Sequence, residues 1–403
     1  MNFMSSPHSI DSLQRPKSPS VLHIAPGLEK DSIKRYVEQL VGSLRKLDGV
    51  YDQDIFYLDK SKPFSSYSKM LKYVRHKKPD IVHIQHEFGM FDTYQGLSFL
   101  IFYPWFRLYC RVNGIKTVLT LHTIPDKREM AEIGYPGAVK GVITKFLPPV
   151  YFFVNLYALC SLSDANIALT EPARSVLEKR YMIKHSKAHF IPNGIMRFDL
   201  SVRKEIVASF KKAYGLAGKK IISLVGFAFR LKGYHFLINA LPSVVNREQN
   251  AVVVITGGTL TPMGKAYLES LKRLAKELSV SDHIIFTGYL KDVELRALLN
   301  ITDLYVFPYS YKVGDSAAVN LAINTGRPIL VSNIPAFADI IENKLATSMD
   351  PSDKEELSSL IVKYLERPPR RVSKRRLDDY FKRNSMETAA MLHLKLYESL
   401  LKR

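Results

Sequence analysis

Gly226-Phe227-Ala228-Phe229-Arg230-Leu231-Lys232-Gly233 stands between two runs of different periodicity. Before it, Lys220-Ile221-Ile222-Ser223-Leu224-Val225 is short, apolar and β-branched, the pattern of a strand. After it, Tyr234 to Leu241 has the spacing of a helix. A glycine turn between strand and helix gathers backbone N–H groups at the positive end of the helix, a ready seat for an anion. Arg230 and Lys232 add two cations to the same turn, so a phosphate-bearing ligand fits. An ordinary connecting loop with two solvated bases has the same composition, and the turn alone leaves both readings open.

The same unit recurs along the chain. Val21–Ala25, Asp54–Leu58, Ile81–Ile84, Thr117–Leu121, Ala165–Leu169 and Ala188–Ile191 read as strands, short and bounded by turn residues. They alternate with helical segments such as Ser32–Leu47, where Val37, Leu40, Val41, Leu44 and Leu47 share a face. Pro192-Asn193-Gly194 interrupts the pattern and polar, basic sequence follows. The alternation resumes with strands at Ile221–Val225, Ala251–Thr256, His283–Thr287, Leu304–Phe307 and Pro328–Ser332. Helices are expected at Tyr234–Asn246, Gly264–Leu278, Lys291–Ile301 and Ser316–Thr325. Strands alternating with helices predict parallel sheets covered on both faces. The expected fold class is therefore α/β: two Rossmann-like, doubly wound domains facing a central cleft, with ligands at the carboxyl ends of the strands. Residues 1–20 are expected as a flexible tail, 21–200 as the first domain and 201–379 as the second, with a linker near 194–218. Tyr380–Leu401 reads as one helix with Ala389, Leu392, Leu396 and Leu400 on one face.

Composition narrows the function. A chain of 403 residues with 46% hydrophobic and 11% aromatic residues can bury sizeable cores. Its formal charge of +20 favours anionic partners: nucleic acid, an anionic membrane face or phosphorylated substrates. One basic cluster, Arg367, Arg370, Arg371, Lys374, Arg375 and Arg376, flanks Pro368-Pro369 and reads either as a solvated linker or as an anion-attracting surface. Cys110 and Cys160 have no disulfide or metal-ligand spacing and read as buried thiols, which suits a reducing compartment. Residues 1–20 lack the apolar centre of a signal peptide. The runs Phe146–Leu162 and Phe99–Phe106 are expected to pack in a core or lie at an interface rather than span a membrane. No zinc-finger, helix-turn-helix or RNA-binding aromatic motif accompanies the charge, so no nucleic-acid partner is expected. No strand is followed by G-x-G-x-x-G, which disfavours hydride transfer. No Asp-x-Asp pair falls in a plausible donor loop, and no metal ligand is expected.

Several loops line up after the strands of the second half: Gly226–Gly233, Thr256-Gly257-Gly258, Phe286–Leu290, and Phe307-Pro308-Tyr309 leading to Gly314-Asp315-Ser316-Ala317-Ala318. The helix that follows ends at Gly326-Arg327-Pro328. In this order and spacing the chain resembles the family 4 glycosyltransferases, retaining enzymes of the GT-B fold. The resemblance implies that Gly226, Lys232 and Gly233 form the donor-phosphate loop. Phe227 replaces the family's common arginine, and Arg230 is the residue expected to supply that charge. Gly288, with Tyr289 and Leu290, fits the turn that meets the nucleotide base and ribose. The family's two glutamates fall on Val313 and Leu321, both apolar. Asp315-Ser316-Ala317 resembles a Ser-rich variant of that turn, with Ser316 as N-cap and phosphate ligand beside Ala317 and with Asp315 accepting sugar hydroxyls. In the first domain, Val82–Gly89 and Thr120–Thr123 resemble the family segments that carry His86, Glu87 and His122. Catalytic roles are assigned to His122, Glu87 and Asp315, and acceptor-side roles to Gly27 and His86. The alternation of His83 with apolar strand residues predicts that it is buried packing.

The resemblance thus implies a hexosyltransferase that moves sugar from a UDP- or GDP-sugar to a glycan or lipid-linked acceptor with retention. It implies no obligatory metal, no cofactor beyond the nucleotide sugar, and a C-terminal helix, 380–403, that crosses back to the first domain. The basic, aromatic-rich first domain leads to an expected cytoplasmic location, peripheral on the inner membrane face. Two other readings stay open: a non-catalytic binding protein, favoured by the missing glutamates, and a sugar-nucleotide epimerase, which needs acid/base carboxylates in the cleft.

Overall fold

The computed structural model describes residues 19–27, 32–47, 51–88, 96–125, 143–195, 197–259, 262–312 and 314–402. Val313, Gly89, the 28–30 part of the first-strand loop and residues 1–18 of the tail lie outside the described residues. The strands are β1 (Ser20–Pro26), β2 (Asp52–Leu58), β3 (Ile81–His86), β4 (Lys116–Leu121), β5 (Ala165–Ala168) and β6 (Ala188–Phe190). Those of the second half are β7 (Lys220–Val225), β8 (Ala251–Thr256), β9 (Ile284–Gly288), β10 (Leu304–Phe307), β11 (Ile329–Ser332) and β12 (Thr347–Met349). They form two six-stranded sheets, ordered β2-β1-β3-β4-β5-β6 and β12-β11-β10-β7-β8-β9. All pairings are parallel. Strands β3 and β8 are buried along their whole length, which is why they lack a polar face.

The strand orders locate the crevices. In the first sheet the winding direction reverses between β1 and β3, and in the second between β7 and β10. Connections leaving neighbouring strands to opposite faces open a gap at the strand ends, where ligands of doubly wound sheets bind. The loop Gly226–Gly233 leaves β7 and the loop Pro308–Ser316 leaves β10, so both stand at the switch point of the second sheet.

Two segments differ from expectation. The linker contains a helix, Lys204–Ala213, whose Phe210 joins the core beneath β7 and β8. The C-terminal helix is two helices, Lys374–Arg383 and Met386–Leu401. Ser385 divides them: its hydroxyl accepts the Thr388 N–H at 3.0 Å and starts a new helix after Asn384. Tyr380 and Phe381 pack in the core of the second sheet. Ala389, Leu396 and Leu400 pack with Val37, Leu40 and Leu44 under the first. Each fully buried leucine there contributes about 1.5–3 kcal/mol, so the last helix is a fixed part of the first unit.

Candidate active site

The chain crosses the switch point of the second sheet on two glycines. Gly226 has φ +117°, and a Cβ there would lie 2.4 Å from Lys232 Nζ. Gly233 has φ +63°, and its Cβ would meet the Pro308 carbonyl oxygen at 1.8 Å. Both positions therefore exclude other residues. The first lets the Lys232 ammonium close over the backbone, and the second presses the β7 loop onto the β10 loop. Tyr234 Oη donates to the Gly226 carbonyl at 2.9 Å and holds the turn.

Lys232 is part-buried and stands over the Tyr309 ring, 5.8 Å from its centroid. Burial, reinforced by Lys312, pushes its pKa down to about 8. Neither lysine forms an ion pair with a carboxylate among the described residues. A part-buried cation beside a second cation, neither with a counter-ion among the described residues, suits an anion that arrives with a ligand. The two lysines line a cleft of about 440 Å³ with Gly226, Phe227, Ser316, Ala317, Leu321 and, from the first domain, Thr123.

The expected residues are placed unevenly. Arg230 is exposed and does not line this cleft; its charge acts on His235. Lys312 takes the place expected of it. Sequence reasoning missed Lys312, although it lies in the loop after β10 just before Gly314. Ser316 stands at the N-cap of the helix Ala317–Asn324, but its hydroxyl does not cap the helix. It pairs with Tyr309 Oη at 3.0 Å instead, while exposed Ala317 lines the cleft. Asp315 is part-buried, lines the cleft, and is already engaged by neighbouring donors. Its carboxylate accepts from the Ser316 N–H at 2.7 Å, from Asn320 Nδ2 at 3.0 and 3.2 Å, and from Asn193 Nδ2 at 3.0 Å. It clasps the loop after β10 to the Pro192–Gly194 crossover. Gly288 (φ +69°) accepts the Gly257 N–H at 2.8 Å through its carbonyl. Tyr289 is exposed, whereas the Leu290 side chain lies in the core and offers only its backbone.

In the first domain, His122 follows β4 and Glu87 follows β3. The His122 N–H donates to the His86 carbonyl at 3.0 Å, its ring meets Tyr36 edge-on, and Nε2 lies 3.0 Å from Gln85 Oε1. Burial, with His86 nearby, pushes its pKa down to about 3, so the imidazole is neutral at pH 7. Glu87 accepts from the Thr123 hydroxyl and from the Phe88 N–H, fixing the residue that lines the cleft. His86 cannot meet an acceptor: it is fully buried among Phe88 and Phe99. Exposed Gly27 donates to the Leu58 carbonyl at 2.9 Å, and a Cβ would approach that oxygen to 3.0 Å. His83 is buried, as its strand spacing implied.

A larger cleft of about 690 Å³ lies beside the first and shares Asp315 and Ser316 with it. Its rim carries Glu171, Asp339 and Glu342 against Arg383. The smaller, lysine-bearing cleft is thus the more favourable of the two for an anion.

The family model described as Glycosyl transferases group 1 matches residues 208–383, and that of Glycosyltransferase Family 4 matches residues 45–196. Mannosylfructose-phosphate synthase of Agrobacterium fabrum is 29% identical over 213 residues, which are 52% of this chain and 46% of that protein. A GDP-mannose-dependent alpha-(1-6)-phosphatidylinositol monomannoside mannosyltransferase of Mycobacterium tuberculosis is 26% identical over 187 residues, 44% of this chain and 46% of that one. The chain spans about half the length of these curated relatives. Among solved structures, HepE of Anabaena in complex with UDP superposes with a TM-score of 0.68 at 13% identity, over 94% of this chain and 100% of that one. Sucrose-phosphate synthase of Thermosynechococcus elongatus gives 0.68 at 16% identity, over 95% and 99%. Both have the same two-sheet architecture.

Proposed function

The chain belongs to glycosyltransferase family 4, with the GT-B fold, and on that premise we propose that it transfers a hexose from a UDP- or GDP-sugar to a glycan or lipid-linked acceptor. One observation carries the reading: Lys232, held over Gly226, and Lys312 line one cleft at the switch point of the second sheet, and among the described residues neither has a carboxylate partner. There they neutralise the charge that grows on the departing diphosphate, the term that dominates such transfers. The lysines supply this charge from the protein itself, which is the basis for proposing a metal-independent reaction. His122, neutral, accepts a hydrogen bond from the donor sugar, and the larger cleft receives the acceptor. Asp315 and Glu87 are both tied into hydrogen bonds. With both carboxylates engaged in this way rather than poised as free nucleophiles, retention by attack on the face of departure is the mechanism proposed. The same ties weigh against Asp315 and Glu87 as the acid/base pair of an epimerase. A non-catalytic binding protein is favoured by Leu321, an apolar side chain lining the cleft where the family carries a glutamate.

A thermal-shift screen with UDP and GDP tests the site. At 100 times its dissociation constant the matching nucleotide adds about 2.7 kcal/mol of stability. Bound phosphate favours charged Lys232, so its pKa rises on binding from the value near 8. Affinity is therefore full below pH 8 and weakens as pH climbs past it. Equal affinity at pH 7 and pH 9.5, or no shift with either nucleotide, contradicts the lysine seat.

The acceptor's setting is proposed from the surface. Ile101, Trp105, Leu108 and Val112 are 60%, 73%, 54% and 77% exposed. They form one stripe on the helix Leu97–Val112, opposite buried Phe99, Tyr103 and Phe106. Exposed Val150, Val154 and Tyr157 lie on the helix Ile143–Leu162, which packs against it. Lys69, Lys72, Arg75, Lys77 and Lys78 are exposed at the neighbouring helix Pro63–Lys77 and its cap. Two of them also act within the fold: Lys77 pairs with Asp54 at 2.9 Å and Arg75 lies over Tyr109. Among the described residues, no helix is long and apolar enough to cross a membrane. The stripe with its bases suits insertion of rings among anionic headgroups, each nearby base adding about 1 kcal/mol. The protein is expected to co-sediment with anionic liposomes at low salt, to release near molar salt, where the Debye length falls to about 3 Å, and to bind neutral liposomes poorly. Equal sedimentation with both liposomes, or with neither, points to a soluble acceptor.

A further inference from the structure

The face of the first sheet that carries His122 is lined by polar side chains the proposed chemistry does not use. His23, His83, Gln85 and Thr120 are fully buried there. The parallel register sets His23 beside His83 and Gln85 beside Thr120. Polar groups buried against a sheet cost free energy unless each finds a partner. Here each contact leads to the next. Tyr397, on the helix Met386–Leu401, brings its hydroxyl to 2.6 Å from His83 Nδ1. His83 Nε2 lies 2.7 Å from Thr120 Oγ1 and 3.3 Å from Gln85 Nε2. The other end of that amide, Oε1, is 3.0 Å from His122 Nε2.

We propose that Gln85 is a positioning residue for His122: its amide selects which imidazole nitrogen of His122 holds the proton, and the buried line Tyr397–His83–Gln85 anchors that selection to the C-terminal helix. The inference rests on the role given to His122 above. The protons follow from the donors available. The Gln85 amide nitrogen can only donate, and the Thr120 hydroxyl donates to the same atom, so His83 Nε2 is the bare nitrogen. The His83 proton then sits on Nδ1 and is donated to Tyr397 Oη. With its nitrogen turned to His83, Gln85 presents its carbonyl to His122 and accepts the Nε2–H. His122 Nδ1 has no hydrogen-bond partner among the described residues and is left as a lone pair. It is thus an acceptor for a sugar hydroxyl rather than a donor to phosphate. Burial keeps both imidazoles neutral, holding His122 at about 3 and His83 well below its usual value, so no charge on the line disturbs the choice.

The test is long-range proton–nitrogen NMR of the full chain labelled with ¹⁵N-histidine, with His122→Ala assigning the signal. Wild type is expected to show His122 as a single Nε2–H tautomer. Gln85→Leu, which removes both ends of the amide, should give a mixture of tautomers. Gln85→Glu, protonated in this buried place, keeps both contacts and should retain Nε2–H. Release of UDP from UDP-glucose, or of GDP from GDP-mannose, whichever donor turns over faster, should fall about tenfold in Gln85→Leu. It should recover largely in Gln85→Glu and fall two- to threefold in Tyr397→Phe. Affinity for free UDP or GDP should stay within twofold throughout. A wild-type His122 that is mixed or protonated on Nδ1 overturns the proposal, as does a Gln85→Leu spectrum matching wild type. So does loss of turnover and nucleotide affinity in equal measure. If His122→Ala itself turns over like wild type, the catalytic reading of His122 fails, while the tautomer result still decides whether Gln85 positions it.

Discussion

Replacing Lys232 by alanine is expected to lower kcat/KM for sugar transfer by about 100-fold or more, the loss typical of one charge-stabilising donor in a preorganised site. The fold should survive. Lys232 contributes no ion pair among the described residues, and its charge is held against burial, with its pKa pushed down to about 8. Removing an unpaired, desolvated cation relieves a cost rather than creating one. The thermal midpoint without ligand should therefore stay at or slightly above wild type. Lys232→Met, which keeps the packing against Tyr309 and the Gly226 turn, should lose activity to the same extent. Wild-type turnover in either variant sinks the phosphate-seat reading. A large fall in midpoint shows instead that the lysine is structural.

His122→Ala is expected to reduce turnover roughly 10- to 100-fold, the effect of one hydrogen bond in a water-poor site. Affinity for UDP or GDP should change little, within about twofold. The reason is its place: His122 belongs to the first domain and is neutral, so it adds nothing to the charge that holds the diphosphate. It acts on the sugar. Isothermal titration with the nucleoside diphosphate, set beside turnover of the sugar nucleotide, separates the two effects. Affinity falling as far as turnover makes His122 a nucleotide-binding residue and overturns the assignment.

The architecture was legible because parallel sheets hide both faces of their strands. Short apolar runs such as Ile81–Ile84 and Ala251–Thr256 have no other use, and their alternation with helices fixes the class. The loop Gly226–Gly233 was legible for a similar reason, since both glycines adopt left-handed backbone that other residues avoid. Contacts between distant segments were not legible. Asp315 reads as a free carboxylate until Asn193, 122 positions away, is seen to donate to it. Lys312 reads as one base among many until the β10 loop brings it beside Lys232. The break at Ser385 carried a local signal, a serine capping position after Asn384, but the apolar face beyond it continued the helical pattern across the break. Buried His86 and Gln85 alternate along β3, yet only the register with β4 tells which of them reaches His122.

The central claim is tested most directly by incubating the full chain with radiolabelled UDP-glucose and GDP-mannose in the presence of a cell lipid extract. The account predicts that label from one donor moves into an extractable glycan or lipid product and that Lys232→Ala lowers the transfer by about 100-fold or more. Nucleotide binding without turnover of either donor contradicts it and leaves a GT-B-fold binding protein. Interconversion of the donor sugar without transfer contradicts it in favour of an epimerase.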